Sequence, residues 1–196
     1  MMYVLGRFLS WVILKLFLRL AVSGREHIPA SGGFILASNH ASNIDPVALG
    51  VACTKPLHFM AKEELFRNRF FGRVLRSVHA FPLRRRGADI SAIKEAIRRV
   101  RRGDGLLIFP EGTRSVDGKL NAPLEGVGFL AEKLNVPVVP AYVKGTERAL
   151  PRGARFIRPC AISVTFGEPI SIERRVAYSD VAIFVMEAIK RLSCQQ

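Results

Sequence analysis

The 196-residue chain is 49% hydrophobic and 23% charged, enough for one domain with a real core and too apolar for wholesale disorder. Thirty Lys and Arg against sixteen Asp and Glu leave a net charge of +14. That surplus implies a polyanionic partner: nucleic acid, an anionic membrane face or a phosphorylated substrate. Cys53, Cys160 and Cys194 stand far apart with no CxxC pair or zinc spacing, so no disulfide framework and no metal site are expected.

Residues 1–22 are apolar enough in length to span a bilayer, which takes about 20 residues. Arg7, Lys15 and Arg19 interrupt them, and each costs about 2.5–3.5 kcal/mol at the bilayer centre. On a helix these three fall within an arc of about 120°. Trp11, Leu14, Leu16, Phe17 and Leu18 lie mostly outside it. The pattern predicts an amphipathic helix in the interface of an anionic membrane, with Arg7, Trp11, Lys15, Phe17 and Arg19 as contacts. Its rivals are a helix docked on its own domain and a signal peptide cleaved near Ala21-Val22-Ser23, the latter disfavoured by Lys15 and Arg19. The division expected is residues 1–24 as the membrane-associating helix and 25–196 as the main domain.

Phe34-Ile35-Leu36-Ala37 reads as a buried strand. Asp45-Pro46 is a helix-start signal, with Asp45 as N-cap and a helix over about 46–53, so residues 40–44 form a turn. Residues 61–77 look helical, carrying Arg67, Arg69, Arg73 and Arg76 among Phe66, Phe70 and Phe71. With Lys55, Lys62 and Phe59 they make either a solvated basic face or a second membrane-facing surface. Ala80–Leu83 is a short strand followed by Arg84-Arg85-Arg86, and Ile90, Ile93, Ile97 and Val100 define a helix over 90–102. Leu106–Phe109 is a strand that leads into Pro110-Glu111-Gly112-Thr113-Arg114-Ser115. A short helix over 126–134 follows, then a strand over 136–143 that Pro137 and Pro140 demote to an edge. Ala161–Phe166 is a strand, and Ser179 could cap a last helix to about Ser193. Alternating strands and helices predict a single α/β domain, its largely parallel mixed sheet flanked by helices.

His40 is the natural proton acceptor near neutrality, provided one ring nitrogen is free and the other is held. Asp45 is its nearest carboxylate in sequence. On a regular helix the two would point about 140° apart, so they meet only if residues 40–44 turn. A bland reading remains, in which Asp45 only caps its helix and His40 only completes a turn. The flanking pattern favours chemistry. Asn39-His40-Ala41-Ser42-Asn43-Ile44-Asp45 resembles the His-x4-Asp box of the glycerolipid acyltransferases, the 1-acylglycerol-3-phosphate acyltransferase family. Phe109–Ser115 resembles that family's second box, Ala80–Arg85 the third and Val136–Pro140 the fourth, together spanning about residues 27–145.

The resemblance implies acyl transfer from a thioester to the free hydroxyl of 1-acylglycerol 3-phosphate, giving phosphatidic acid. His40 is then the base and Asp45 its partner. Arg85, Glu111, Gly112, Thr113 and Arg114 are placed at the substrate phosphate, with Asn39, Ser42 and Arg84 in support. A guanidinium offers phosphate a planar fork. Glu111 is odd beside an anion and is read as orienting Arg114 or a substrate hydroxyl. No metal or cofactor is expected, because acyl-CoA or acyl carrier protein enters as the donor substrate. The implied location is a membrane surface facing the cytoplasm. His79 stands where the family often has glycine, and Leu124-Glu125 where a basic residue is common. Competing readings are acylation of another lysophospholipid or lipid hydroxyl, an idle membrane-surface scaffold and a basic nucleic-acid-binding protein. No RNP, KH or zinc-finger pattern supports the last, so no nucleic-acid partner is expected.

Overall fold

The computed structural model describes residues 10–84, 89–115, 120–172 and 175–194. In chain order they form helix α1 (residues 10–16), strands β1 (Ala21–Ser23) and β2 (Phe34–Ser38), helix α2 (Asp45–Ala52), strand β3 (Leu57–Lys62), helix α3 (Arg69–Ser77), strand β4 (Ala80–Leu83) and helix α4 (Ile90–Arg101). Then follow β5 (Gly105–Ile108), α5 (Gly126–Leu134), β6 (Val138–Lys144), the single turn α6 (Thr146–Ala149), β7 (Ser163–Phe166) and α7 (Tyr178–Ser193).

Among the described residues one seven-stranded sheet runs in the order β1-β7-β6-β2-β5-β3-β4. Strands β6, β2, β5, β3 and β4 are parallel, β7 is antiparallel to β6, and β1 is parallel to β7. This is the α/β architecture that the alternation of strands and helices implied. β2 lies at the centre and is buried along its whole length, which is why it reads as a continuous apolar run. Its side chains alternate between faces. Phe34 and Leu36 join Leu49, Ala52, Val139 and Val164 on one side. Ile35 and Ala37 join Ala96, Val100, Leu130, Val185 and Ile189 of α4, α5 and α7 on the other. Each Leu or Ile so buried contributes about 1.5–3 kcal/mol.

Four local expectations change. Leu57–Lys62 is a strand between β5 and β4, so the helix expected over 61–77 begins only at Arg69, after a 3-10 turn over Glu63–Phe66. β3 hides its strand character because His58 is buried among its apolar residues. Arg99 donates to His58 Nδ1, which leaves Nε2 to donate to Asp104, 3.2 Å away, while the ring stacks on His79. His79 itself sits at φ 67°, in the left-handed region that glycine adopts most readily.

β6 is not an edge: it pairs with both β2 and β7. The Ile35 N–H donates to the Pro137 carbonyl, so alternation turns residues 138 and 140 toward the β7 side. There Val138 bridges Ile170, and the β7 ladder starts only at Ala141. The Pro140 nitrogen falls in the gap between them, where no ladder bond is lost. At the far end, α7 starts at Tyr178 with Ala177 as N-cap, so Ser179 lies inside the helix and does not cap it.

The amino-terminal segment is not one helix to residue 22. α1 stops at residue 16, and the chain re-enters the domain through Leu18 and Leu20, both buried, as edge strand β1. Leu14, Leu18 and Leu20 pack in the same core as Phe34 and Leu49. No domain boundary therefore falls at residue 24. Trp11, Ile13, Leu16 and Phe17 remain on the surface, Leu16 being 77% exposed. Arg7 lies outside the described residues. No described helix is long and apolar enough to cross a membrane.

Candidate active site

β2 and β5 are adjacent and parallel, so the loops that follow them emerge side by side at one end of the sheet. One carries residues 39–44 and the other residues 109–115. Asn39, buried, clamps the end of β2 to β6: its Nδ2 donates to the Val143 carbonyl at 2.9 Å and its Oδ1 accepts from the Val143 N–H at 2.8 Å.

The chain then turns, and His40 folds back over the start of α2. His40 Nδ1 lies 2.8 Å from Asp45 Oδ2. That oxygen also accepts the N–H groups of Ala41 at 2.7 Å and Ser42 at 2.8 Å. Asp45 is fully buried. It does not act as N-cap; Ile44 holds that position, Pro46 stands in the first turn, and the Asp45 carboxylate points back into the loop. An oxygen that already accepts two N–H groups requires a donor from the ring, so Nδ1 carries the proton and Nε2 is the nitrogen left to accept one. The imidazole lies flat on Phe109, ring centroids 3.9 Å apart and planes 14° off parallel.

The second loop holds the backbone of His40 from both sides. Glu111, 4% exposed, accepts the His40 N–H on Oε1 at 3.0 Å, and the Ser115 N–H donates to the His40 carbonyl at 2.8 Å. Glu111 Oε2 accepts both the backbone and side-chain N–H of Asn121 at 2.9 Å. Its carboxylate is thus engaged by His40 and Asn121. Asn121 escaped the sequence reading altogether; an amide ten residues beyond Glu111 carries no local signal. Gly112 turns at φ 64°, in the left-handed region, so the backbone angle favours glycine there. Thr113 is exposed and Arg114 half-buried, one residue from the Ser115–His40 bond.

Two hydroxyls near His40 are committed elsewhere. Ser42 Oγ donates to the Leu150 carbonyl at 2.8 Å, and Ser38 Oγ donates to Asn39 Oδ1 at 3.3 Å. Of the arginines after β4, Arg84 is exposed, its Nε 3.1 Å from Glu63 Oε1 and its N–H bonded to Asp89 Oδ2. Hydrogen bonds from the Ser91 hydroxyl and from the N–H groups of Arg84 and Ala92 hold the Asp89 carboxyl down to about 2. Arg85 and Arg86 lie outside the described residues. A hollow of about 540 Å³ lies beyond Asn121, lined by Leu120, Tyr142, Ile183 and Met186 among others; His40 is not in its wall.

The acyltransferase family model matches residues 19–144. A Bacillus subtilis (strain 168) protein named 1-acyl-sn-glycerol-3-phosphate acyltransferase is 34% identical over 161 residues, covering 81% of this chain and 77% of its own. A protein of the same name from Limnanthes douglasii is 31% identical over 176 residues, which cover 87% of this chain but 60% of that longer protein. The crystal structure of PlsC from Thermotoga maritima, a 1-acyl-sn-glycerophosphate acyltransferase, superposes with a TM-score of 0.78 at 27% identity, over 94% of this chain and 77% of that one.

Proposed function

This chain belongs to the acyltransferase family, and from that premise we propose that it moves a fatty acyl group from a thioester donor to the free glycerol hydroxyl of 1-acylglycerol 3-phosphate, giving phosphatidic acid. The acceptor is the one named for its Bacillus and Thermotoga relatives. The observation that carries the reading is the imidazole of His40, braced on Nδ1 by a buried carboxylate and left with Nε2 as acceptor.

His40 Nε2 takes the hydroxyl proton while that oxygen attacks the thioester carbonyl. The tetrahedral intermediate collapses, the carbon–sulfur bond breaks, and the imidazolium returns its proton to the departing thiolate. Ester and free thiol are the products, with no atom or proton unaccounted for. Asp45 stabilises the imidazolium, as in a Ser-His-Asp triad whose serine is replaced by the substrate alcohol. Engagement of Ser38 and Ser42 by other partners supports direct attack, with no acyl-enzyme. Arg114 and Arg85 bind the substrate phosphate, with Gly112 and Thr113 forming the loop around it. The donor is acyl-CoA or acyl carrier protein. The enzyme works from the surface of an anionic, cytoplasm-facing membrane, where its acceptor and product both reside.

The test is free-thiol release from each donor, measured with a panel of lysophospholipid acceptors. Parent protein should turn over 1-acylglycerol 3-phosphate in preference to uncharged or choline-bearing acceptors. His40→Ala should lose activity by about 10³-fold or more, in line with removal of a general base and its electrostatic partner. Activity within tenfold of the parent would remove His40 from the chemistry.

A further inference from the structure

The active-site end of the sheet is also where two apolar, cationic segments leave it. β7 is antiparallel to β6, with Ser163 opposite Lys144, and β1 is parallel to β7, with Ala21 opposite Ser163. The starts of β1 and β7 are therefore level with the end of β6, where Asn39 grips Val143. α1 reaches the sheet at this end. So does the loop 150–162, which runs from α6 back to β7.

Two features of that loop need explaining. Phe156 is 83% exposed, more than any other large apolar side chain described, and Ile157 beside it is exposed as well. Arg152, Arg155 and Arg158 surround them, all exposed, and from Arg148 to Gly167 the sequence has no Asp or Glu. A solvated loop gains nothing from a bare phenylalanine at its tip. A loop that enters lipid gains its apolar burial while the arginines stay among phosphate headgroups.

The base of the loop is held firmly. Arg158 N–H donates to the Ala149 carbonyl at 2.7 Å, and Cys160 Sγ lies 3.4 Å from the Gly145 carbonyl. Gly145, at φ 89°, lets the strands of the loop close, since a β-carbon there would sit 2.4 Å from the Ala161 carbonyl. Ile162 N–H donates to the Leu18 carbonyl and Ala21 N–H to the Ile162 carbonyl, which ties the loop to the end of α1. Ser42 Oγ, in the His40 turn, donates to the Leu150 carbonyl at the loop's other root.

We infer that the loop 151–158 is a second bilayer-inserting element, Phe156 and Ile157 entering the acyl region of an anionic membrane and Arg152, Arg155 and Arg158 binding its headgroups, in register with the exposed face of α1. This deepens the proposed function, resting on its reading that the enzyme works at a membrane, and assigns the surface that would seat it. Continuity with Ile13, Leu16 and Phe17 of the α1 region favours lipid over an acidic protein as the occupant. Through Ser42 and Leu150, the seated loop holds the catalytic turn against the interface that supplies the acceptor.

The experiment uses the full chain and vesicles of equal phosphatidylglycerol and phosphatidylcholine. The double change Phe156→Ser, Ile157→Ser should lower the partition coefficient at least tenfold, with thermal stability and turnover of a short-chain, monomerically dispersed acceptor unchanged. Neutralising Arg152, Arg155 and Arg158 to Gln should abolish the preference for anionic over pure phosphatidylcholine vesicles. A Phe156→Trp reporter in a Trp11→Phe background should shift its emission to the blue on vesicle binding and be quenched by brominated lipid. Partition within twofold of the parent, or a reporter unmoved by vesicles, would overturn the inference. So would loss of acyl carrier protein affinity with vesicle binding intact. Failure of the parent to turn over any acceptor would instead sink the acyltransferase reading, which vesicle partition does not measure.

Discussion

Oδ2 of Asp45 accepts three hydrogen bonds and Glu111 accepts three more, and between them they hold both the ring and the peptide of His40. Removing Glu111 should therefore disturb the base whose peptide it holds. Glu111→Ala leaves the His40 N–H and two Asn121 donors unpaired, at a cost of about 1–3 kcal/mol where such groups are buried. We expect a lowered denaturant midpoint together with reduced kcat. Glu111→Gln retains one acceptor and should recover part of both, read by unfolding and steady-state kinetics. Arg114 behaves differently, because its expected partner is the ground-state phosphate. Arg114→Ala should raise KM for the acceptor far more than it lowers kcat, the mark of lost uniform binding; an unchanged acceptor KM would exclude it from the phosphate site. Spacing alone left the His40–Asp45 contact open, but joined to the resemblance of its box it was legible. The role of Glu111 was not, since its partners lie 71 and 10 residues away.

β3 and its neighbours are joined by a polar cluster at the opposite end of the sheet. Burial foremost, then the Arg99 charge and then the second imidazole, lowers the proton affinity of His58 to about 4 from an ordinary 6.5. His79, under the same burial and Arg99, is lowered too. Asp104 opposes the shift in both, and Glu95 draws part of the Arg99 guanidinium to itself, 2.7 Å away. Both rings are neutral in the folded protein at pH 7. In the unfolded chain they take up protons near 6.5, so between about 6.5 and 4 the unfolded state binds more protons than the native one. Stability from this cluster is full above that window and falls as the pH drops through it. Denaturant midpoints from pH 7.5 to 4.5 should show this loss, and His58→Gln should flatten the curve. Helix α4 could be read from its apolar periodicity, and α5 and α7 were expected close to where they lie. β3 could not, because its buried imidazole breaks the apolar pattern and its compensating partners, Arg99 and Asp104, come from α4 and the turn before β5.

The amino-terminal segment belongs to the domain it was expected to tether. Leu14, Leu18 and Leu20 share the core with Phe34 and Leu49, and β1 extends the sheet by pairing with β7. Deleting residues 2–20 should therefore lower the melting temperature markedly rather than merely detach the protein from vesicles. Leu18→Ala alone, emptying a fully buried site, should cost about 2–5 kcal/mol. Leu16→Ser, on the exposed side, should stay within about 0.5 kcal/mol while weakening vesicle binding. Equal thermal shifts for the two would contradict the docking of Leu18. On the proposed membrane reading, the net charge of +14 acts over the same dimension, by drawing the molecule to an anionic surface.

Linear spacing alone was enough for the α/β class, the central strand and four of the helices, because each depends on contacts within a few residues or on a repeating apolar period; the meeting of His40 with Asp45 needed the resemblance of its box as well. Three-dimensional packing was needed for the interior place of β6, the three-residue edge strand β1, the seat of Leu18 and the grip of Glu111 on His40. These rest on pairings between residues far apart in the chain, and a residue's neighbours in sequence say nothing about which distant donor, acceptor or strand edge will meet it.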